Sequence, residues 1–158
     1  MPEAPTRGGA VVIGVGNEIR GDDAAGLIVA RRRRERAATR AVVLACEADP
    51  AGLLEAWLGA ALAIIVDTVV SGAEPGTVQR FDVSAVPLPA RLVGSSTHAL
   101  GVAEAIELAR ALHRLPRRTI VYGIEGSSFS AGAPLHSTVE RAIEETLTRV
   151  VAELGVRR

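Results

Sequence analysis

The sequence predicts an α/β protein in three layers, an α/β/α sandwich with helices on both faces of a mixed, mostly parallel sheet. Short apolar runs, rich in β-branched residues, alternate with segments of helical character, which is the order expected of a parallel sheet. Each run is mostly apolar and does not alternate with polar residues, as is typical of strands that are buried on both faces. The length of 158 residues suits one domain, and we expect residues 1–158 to form it.

Four apolar runs are predicted to be strands of this sheet: AVVIGV from Ala10, AVVLAC from Ala41, ALAIIVDTVV from Ala61 and TIVYGI from Thr119. A further segment, PGTVQRFDV from Pro75 to Val83, follows a turn and alternates weakly between apolar and polar residues. We predict that it is an additional antiparallel strand at one edge of the sheet.

The predicted helices lie between the strands, at Asp23–Arg36, Pro50–Leu58 and Thr97–Arg114, and after the last strand from Ser137. The second is expected to have Asp49 as its N-cap, and the last to begin at a capping box formed by Ser137 and Glu140. One face of the last helix is predicted to be apolar: Val139, Ile143, Leu147, Val150, Val151 and Leu154. The stretches Ser84–Ser96 and Glu125–His136 are predicted to be irregular.

Composition excludes several classes of protein. Lys and Arg together number 18, as do Asp and Glu, so no excess of charge favours nucleic acid or an anionic membrane. The run Arg31–Arg36 is predicted to be the solvated C-terminal end of a helix, with nucleic-acid binding or targeting as the alternative. A single cysteine, Cys46, excludes a disulfide within the chain and a multi-cysteine zinc site. No apolar run is long enough to span a membrane, and the N-terminus lacks the apolar core of a signal peptide, so we expect a cytoplasmic protein.

The stretch GVGNEIRGDDAAG, from Gly14 to Gly26, follows the first predicted strand. Its first two glycines resemble a dinucleotide-binding loop, but the third glycine of that loop is absent. Glu18, Asp22 and Asp23 would also bring three carboxylates beside a pyrophosphate, where like charges repel. A bound metal cation would reverse that electrostatic argument.

Ligands of such sheets bind at the carboxyl ends of the parallel strands. Five candidate residues follow or end predicted strands, or open a helix, near that edge: Asp22, Asp23, Asp67, His98 and Glu125. Two carboxylates and one imidazole suit a divalent transition metal such as nickel or zinc. Neighbouring residues at a helix start point about 100° apart, so one of Asp22 and Asp23 is expected to face the site and the other to cap the helix. The residue pattern alone does not choose between them.

Nucleophilic catalysis finds little support in the sequence. There is no G-x-S-x-G elbow, and the loop serines (Ser95, Ser96, Ser127 and Ser128) have no base beside them in sequence. Cys46 ends a strand without a basic neighbour and is predicted to be a small core side chain.

Three segments together resemble the nickel–iron hydrogenase maturation proteases: GVGNEIRGDDAAG, the block IIVDTVVSGAEPGT and the block SSTHALGVAEAI. The resemblance implies an endopeptidase that removes a C-terminal extension from the hydrogenase large-subunit precursor once nickel is in place. It implies nickel as the metal, held by the precursor, with zinc or cadmium as possible substitutes. The expected partner is that precursor. Neither nucleic acid nor a membrane is expected as a partner, and the protein is expected to be a monomer.

The resemblance also assigns residues. The metal-contacting and catalytic positions fall on Asp23, Asp67 and His98, so that Asp23 binds while Asp22, with Asn17 and Gly16, supports it. Asn17 is expected to brace the turn through hydrogen bonds from its side chain to the backbone. The chain departs from the family where many members have Glu in place of Asp23 and aspartate in place of Glu47. The loop that begins at Glu125 also lacks a proline that is often found there.

Two further functions stay open at this stage. One is a non-catalytic nickel-binding chaperone or metal-dependent partner of hydrogenase assembly, which would bind the same precursor without cutting it. The other is nucleotide binding, which the carboxylates disfavour.

Overall fold

The computed structural model describes residues 7–36, 41–47, 49–93 and 97–155. Its five strands are, in chain order, β1 (Ala10–Val15), β2 (Val42–Cys46), β3 (Leu62–Val69), β4 (Val78–Asp82) and β5 (Arg118–Glu125). Its α-helices are α1 (Ala25–Glu35), α2 (Pro50–Ala56), α3 (Ala90–Val93), α4 (Thr97–Ala111) and α5 (Ser137–Gly155), and a 3-10 turn (Gly21–Ala24) precedes α1.

The strands form one sheet in the order β2-β1-β3-β5-β4. The first four strands of that order are parallel to their neighbours, and β4 pairs antiparallel with β5 at the edge. The chain passes from β1 outward to β2 and then back across β1 to β3, so the direction of winding reverses beside β1. Such a reversal opens a crevice at the carboxyl ends of the strands, where α/β proteins bind ligands.

Helices cover both faces of the sheet. One core packs β1, β3 and β5 against α2 and α4, through side chains that include Ile13, Trp57, Ile65 and Ile106. The other packs the opposite face against α1 and α5, through Val29, Ile64, Ile143 and others. Successive strand residues point to opposite faces, so one apolar strand contributes to both cores. The predicted three-layer α/β fold and the antiparallel edge strand are confirmed.

Several predicted boundaries differ from those in the structure. The first helix does not begin at Asp23, because residues Gly21–Ala24 form a 3-10 turn ahead of it. Asp67 lies within β3 and does not end the strand. The stretch predicted to be irregular before His98 contains the short helix α3, and residues 94–96, with Ser95 and Ser96, lie outside the described part. The N-cap role of Asp49 is confirmed, since its carboxylate accepts a hydrogen bond from the Gly52 N–H.

The last helix begins at Ser137 as predicted, but the expected capping box does not form. The imidazole of His136 accepts a hydrogen bond from the Thr138 N–H, while the carboxylate of Glu140 pairs with Arg32. The predicted apolar face is correct except at Val151, whose side chain is exposed.

The arginine run was predicted to be a solvated helix end, and this is wrong for two of its members. Arg33 is buried, and Arg32 joins α1 to α5 through ion pairs with Glu140 and Glu144. Arg36 also pairs with Glu144. Arg32 and Arg36 therefore have anionic partners within the chain itself. No helix among the described residues is both long and apolar enough to span a membrane.

The close approach of α1 to the sheet depends on glycine. A Cβ atom at Gly26 would lie 2.3 Å from the carbonyl oxygen of Val66 and 2.5 Å from that of Val15. Both oxygens belong to strands, so neither can move without distorting the sheet. Gly26 therefore sets the distance between α1 and the strands that precede the candidate site.

We expect Gly26→Ala to lower the free energy of unfolding by about 3 kcal/mol, since over-packing against rigid backbone is costly. A Cβ atom at Gly155, at the end of α5, meets nothing within 4 Å. Gly155→Ala is thus the matched control, and chemical denaturation of both variants measures the effect. Equal stability of the two variants would contradict this account of α1 packing.

Candidate functional site

The 3-10 turn after β1 is held by the fully buried carboxylate of Asp22. One of its oxygens accepts hydrogen bonds from the N–H groups of Ser127 and Ser128, and the other accepts one from the N–H of His136, each at 2.8 Å. These three donors lie at the two ends of the loop that joins β5 to α5. The side chain of Asp22 makes no capping bond to α1, so its predicted N-cap role was wrong. Its carboxylate instead ties a distant loop to the turn.

The turn itself is braced by Asn17 and Gly16. The side-chain oxygen of Asn17 accepts a hydrogen bond from the Ile19 N–H at 3.1 Å, in agreement with the predicted bracing role. The Asn17 N–H donates in turn to the carbonyl oxygen of Asp23. A Cβ atom at Gly16 would lie 2.1 Å from that same oxygen, so only glycine permits the closure. Together these contacts fix the backbone of Asp23.

Asp23 faces the first turn of α4. Its Oδ2 atom lies 3.0 Å from Nε2 of His98, and both side chains are largely buried. Asp23 comes from the turn after β1 and His98 from the second residue of α4, so the fold joins residues that are 75 positions apart. The structure thus brings together two of the three residues that the resemblance assigned to the metal.

Asp67 lies in β3, with its carboxyl group on the face that α4 covers. One oxygen accepts a hydrogen bond from the Thr68 N–H at 2.8 Å, and the other, Oδ2, has no partner among the described residues. It borders a small gap between the sheet and α3 that is lined by apolar side chains such as Leu88 and Leu92.

The pKa of Asp67 is raised well above its ordinary value. Burial is the main cause, the hydrogen bond from Thr68 opposes it, and the negative charge of Asp23 adds to the rise. A buried carboxyl oxygen without a partner is costly, and such groups concentrate at functional sites.

The donor atoms partly fit a divalent metal. Two ligands that lie about 2.1 Å from a metal and about 90° apart are about 3.0 Å from each other, which matches the separation of Asp23 Oδ2 and His98 Nε2. Carboxylate oxygen and imidazole nitrogen are donors that nickel and zinc accept. Among the described residues, however, no three His, Cys, Asp or Glu side chains lie close enough to hold a metal as they stand. Asp67 would have to turn its free oxygen toward the pair.

A cleft of about 640 Å³ opens beside the pair, at the carboxyl ends of β1 and β2. Its described lining consists of Gly16, Asn17, Glu18, Leu27, Ala45, Cys46, Glu47, Asp49 and His98. The lining therefore includes three carboxylates and, within the described residues, no lysine or arginine. Its volume suits a segment of polypeptide better than a metal ion alone.

The other acidic and nucleophilic candidates have different roles. Glu125, predicted to follow the last strand, ends β5, and its carboxylate accepts hydrogen bonds from the N–H and hydroxyl of Ser71 and from the Gly72 N–H. It therefore holds the turn after β3 and takes no part in the cleft. Burial raises the pKa of Cys46 to about 11, with smaller contributions from Asp49, Asp67 and Glu47, so this thiol stays protonated at neutral pH.

Sequence reasoning missed Thr68. Its buried hydroxyl donates to the carbonyl oxygen of Asp22 at 2.8 Å and so ties β3 to the 3-10 turn. Asp67 and Thr68 form an adjacent polar pair inside an apolar strand, and this was the available signal. Because neighbours in a strand face opposite sides, one serves the α4 side and the other the α1 side.

We expect Asp22→Asn to lower the free energy of unfolding by about 1–3 kcal/mol, because an amide cannot accept from donors on both of its ends and one N–H is left without a partner. Thermal or chemical unfolding measures this. Glu125→Gln is the matched control, since its amide keeps all three bonds to Ser71 and Gly72 once the serine hydroxyl turns to accept. If Asp22→Asn were as stable as Glu125→Gln, the anchoring role of Asp22 would be wrong.

Comparisons with known proteins agree with this architecture. The chain is similar to the hydrogenase maturating endopeptidase HybD from Escherichia coli, with a TM-score of 0.80 and 26% identity over 92% of this chain and 91% of that one. It is also similar in fold to the [NiFe] hydrogenase maturation protease HybD from Thermococcus kodakarensis, with a TM-score of 0.73 and 24% identity over 94% and 99% of the two chains. A search by sequence among curated proteins gives no significant match.

A family model described as hydrogenase maturation protease matches residues 33–153, which is well over half of the chain. The matched range includes the strand that carries Asp67 and the helix that carries His98, and the similarity to the E. coli structure extends over nearly the whole fold. This chain therefore belongs to the hydrogenase maturation protease family.

Proposed function

We propose that this protein is an endopeptidase that removes the C-terminal extension of a nickel–iron hydrogenase large-subunit precursor after nickel has been inserted. Membership of the protease family supports the peptidase activity. The approach of Asp23 to His98 at 3.0 Å, beside a cleft of peptide size, is the observation that carries the nickel-dependent part. Asp23, His98 and Asp67 are the proposed site residues, and a monomeric, cytoplasmic enzyme remains a prediction.

The nickel belongs to the precursor in this proposal. Asp23 and His98 offer two donors, and Asp67 a third only after it moves, so the set is incomplete as it stands. An incomplete set suits a metal that arrives with other ligands already attached to it. The absence of cysteine from the set also favours weak binding, because thiolates are the donors that hold such metals most firmly.

Arrival of a cation would change the site in a defined way. In its absence, a proton joins Asp23 to His98 through their hydrogen bond. A cation takes the place of that proton. The carboxylate of Asp67 then neutralises the positive charge of the cation. The site then responds to loaded precursor and stays inactive toward empty precursor, since only the loaded form supplies the cation.

Cleavage requires water to add to the scissile carbonyl, after which the C–N bond breaks and the leaving amine takes up the proton that the water gave up. The carboxylates of the site are the groups that can accept the proton of that water, and polarisation of the carbonyl by the precursor's nickel is the alternative. A thiol nucleophile is disfavoured, because the raised pKa of Cys46 keeps it protonated. A serine nucleophile is disfavoured as well. The N–H groups of Ser127 and Ser128 are bound to Asp22, and within the described part no hydrogen bond joins their hydroxyls to a histidine that could act as a base.

The direct test is incubation of the protein with purified large-subunit precursor in nickel-loaded and metal-free forms. We expect a size shift for the loaded form alone, read by mass spectrometry of the intact chains. Cleavage of both forms at equal rates would refute the dependence on nickel. Binding of the loaded form without cleavage would instead favour a nickel-binding chaperone.

Variants assign the residues in the same assay. We expect Asp67→Asn and His98→Ala to slow processing by about 100-fold or more, as losses at a reacting centre commonly do. Asp67→Asn should remain folded, since its amide keeps the hydrogen bond from the Thr68 N–H and cannot bring a negative charge into the core. Glu125→Gln changes another buried carboxylate at the same sheet edge and should process normally. Normal processing by either site variant would overturn its assignment.

A further inference from the structure

Strand β2 forms one edge of the sheet. It pairs with β1 and with no other strand of the described residues. Edge strands carry unpaired N–H and C=O groups along their outer side, and these groups can pair with an added strand. Natural proteins usually cover such edges. This edge is covered at one residue and has unpaired backbone groups at another.

The covered part lies at Val43. Its carbonyl oxygen accepts a hydrogen bond from the guanidinium of Arg34 at 2.9 Å, which shows that the backbone of Val43 faces outward. Backbone groups alternate sides along a strand, so those of Ala45 face outward as well. Ala45 is exposed, and outside the ladder with β1 it makes no hydrogen bond to any described residue. One N–H and one C=O near the C-terminal end of β2 therefore have no partner within the described ranges.

The open groups lie at the candidate site. Ala45 lines the same cleft as His98, so a chain paired with Ala45 would run directly into that cleft. The cleft is also lined by Glu18, Glu47 and Asp49, which disfavours an acidic occupant. An extended segment of polypeptide can follow both the strand edge and the cleft, because Ala45 belongs to both.

We propose that the outer edge of β2 at Ala45 binds the substrate as an added strand, in which the precursor segment around the scissile bond exchanges backbone hydrogen bonds with the N–H and C=O of Ala45. This inference rests on the proposed function, because it concerns how that substrate enters the cleft. Backbone pairing fixes the position of the peptide without reading its side chains. It therefore holds the scissile bond in an extended form, while the residues of the site act on it.

The test removes one hydrogen-bond donor from the edge. Ala45→Pro deletes the outward N–H, and proline is tolerated at such edge positions. We expect the KM for nickel-loaded precursor to rise about tenfold, the effect of one lost hydrogen bond. Ala131→Pro is the matched control, because Ala131 is exposed at the second position of a turn, Ser130–Ala133, in which Gly132 has a φ of 75°. That position favours proline, so this variant should process as the wild type does.

A second measurement decides the matter if Ala45→Pro fails to fold. Hydrogen exchange of the Asp67→Asn enzyme, which keeps the Asp23 and His98 donors and processes slowly, is compared with and without saturating nickel-loaded precursor. We expect residues 42–47 to take up about one deuterium fewer in the complex, because a paired amide exchanges more slowly. Unchanged exchange in this segment, or wild-type KM in folded Ala45→Pro, would overturn the proposal. Failure of the wild type to cleave the precursor would refute the proposed function, whereas exchange at residues 42–47 would still report on the edge.

Discussion

The carboxylate of Asp22 is the interaction on which the candidate site depends. It is fully buried and accepts three backbone N–H groups from both ends of the β5–α5 loop. The Asp22 N–H donates to Ser128 and its carbonyl accepts from Thr68, so this one residue joins the first, third and fifth strands at their carboxyl ends. Its neighbour Asp23 is held in place as a consequence. The two adjacent aspartates thus have different roles. Asp22 accepts hydrogen bonds from backbone N–H groups, and Asp23 faces His98.

The site combines satisfied and unsatisfied carboxylates. Asp22 and Glu125 are buried with their hydrogen bonds complete, and each has a structural role. Asp67 is buried with one oxygen free and a raised pKa, which a stable core does not require. Such a group lowers stability unless a ligand compensates it. Asp22 and Glu125 thus differ from Asp67, which is the one of the three whose carboxyl group has an oxygen without a partner among the described residues.

Much of the fold could be predicted because apolar runs determine strands directly. The runs from Ala10 and Thr119 match β1 and β5 closely, and the antiparallel edge strand was foreseen from the turn before it. The role of Asp22 could not be foreseen, since its three donors lie more than 100 residues away in a loop without periodicity. The capping of α5 by His136 was missed for a different reason, because Arg32 competes for the Glu140 carboxylate across two helices. Local rules fail where tertiary partners offer a better bond.

The most direct test of the site is the position of nickel in crystals of the protein soaked with a nickel salt, located by anomalous scattering at the nickel edge. The assignment predicts one strong peak about 2.1 Å from Asp23 Oδ2 and His98 Nε2, with the free oxygen of Asp67 turned to meet it. A peak held by Asp23 and His98 while Asp67 keeps its place against Leu88 and Leu92 would contradict the role given to Asp67. A peak at any other group of residues would contradict the site as a whole.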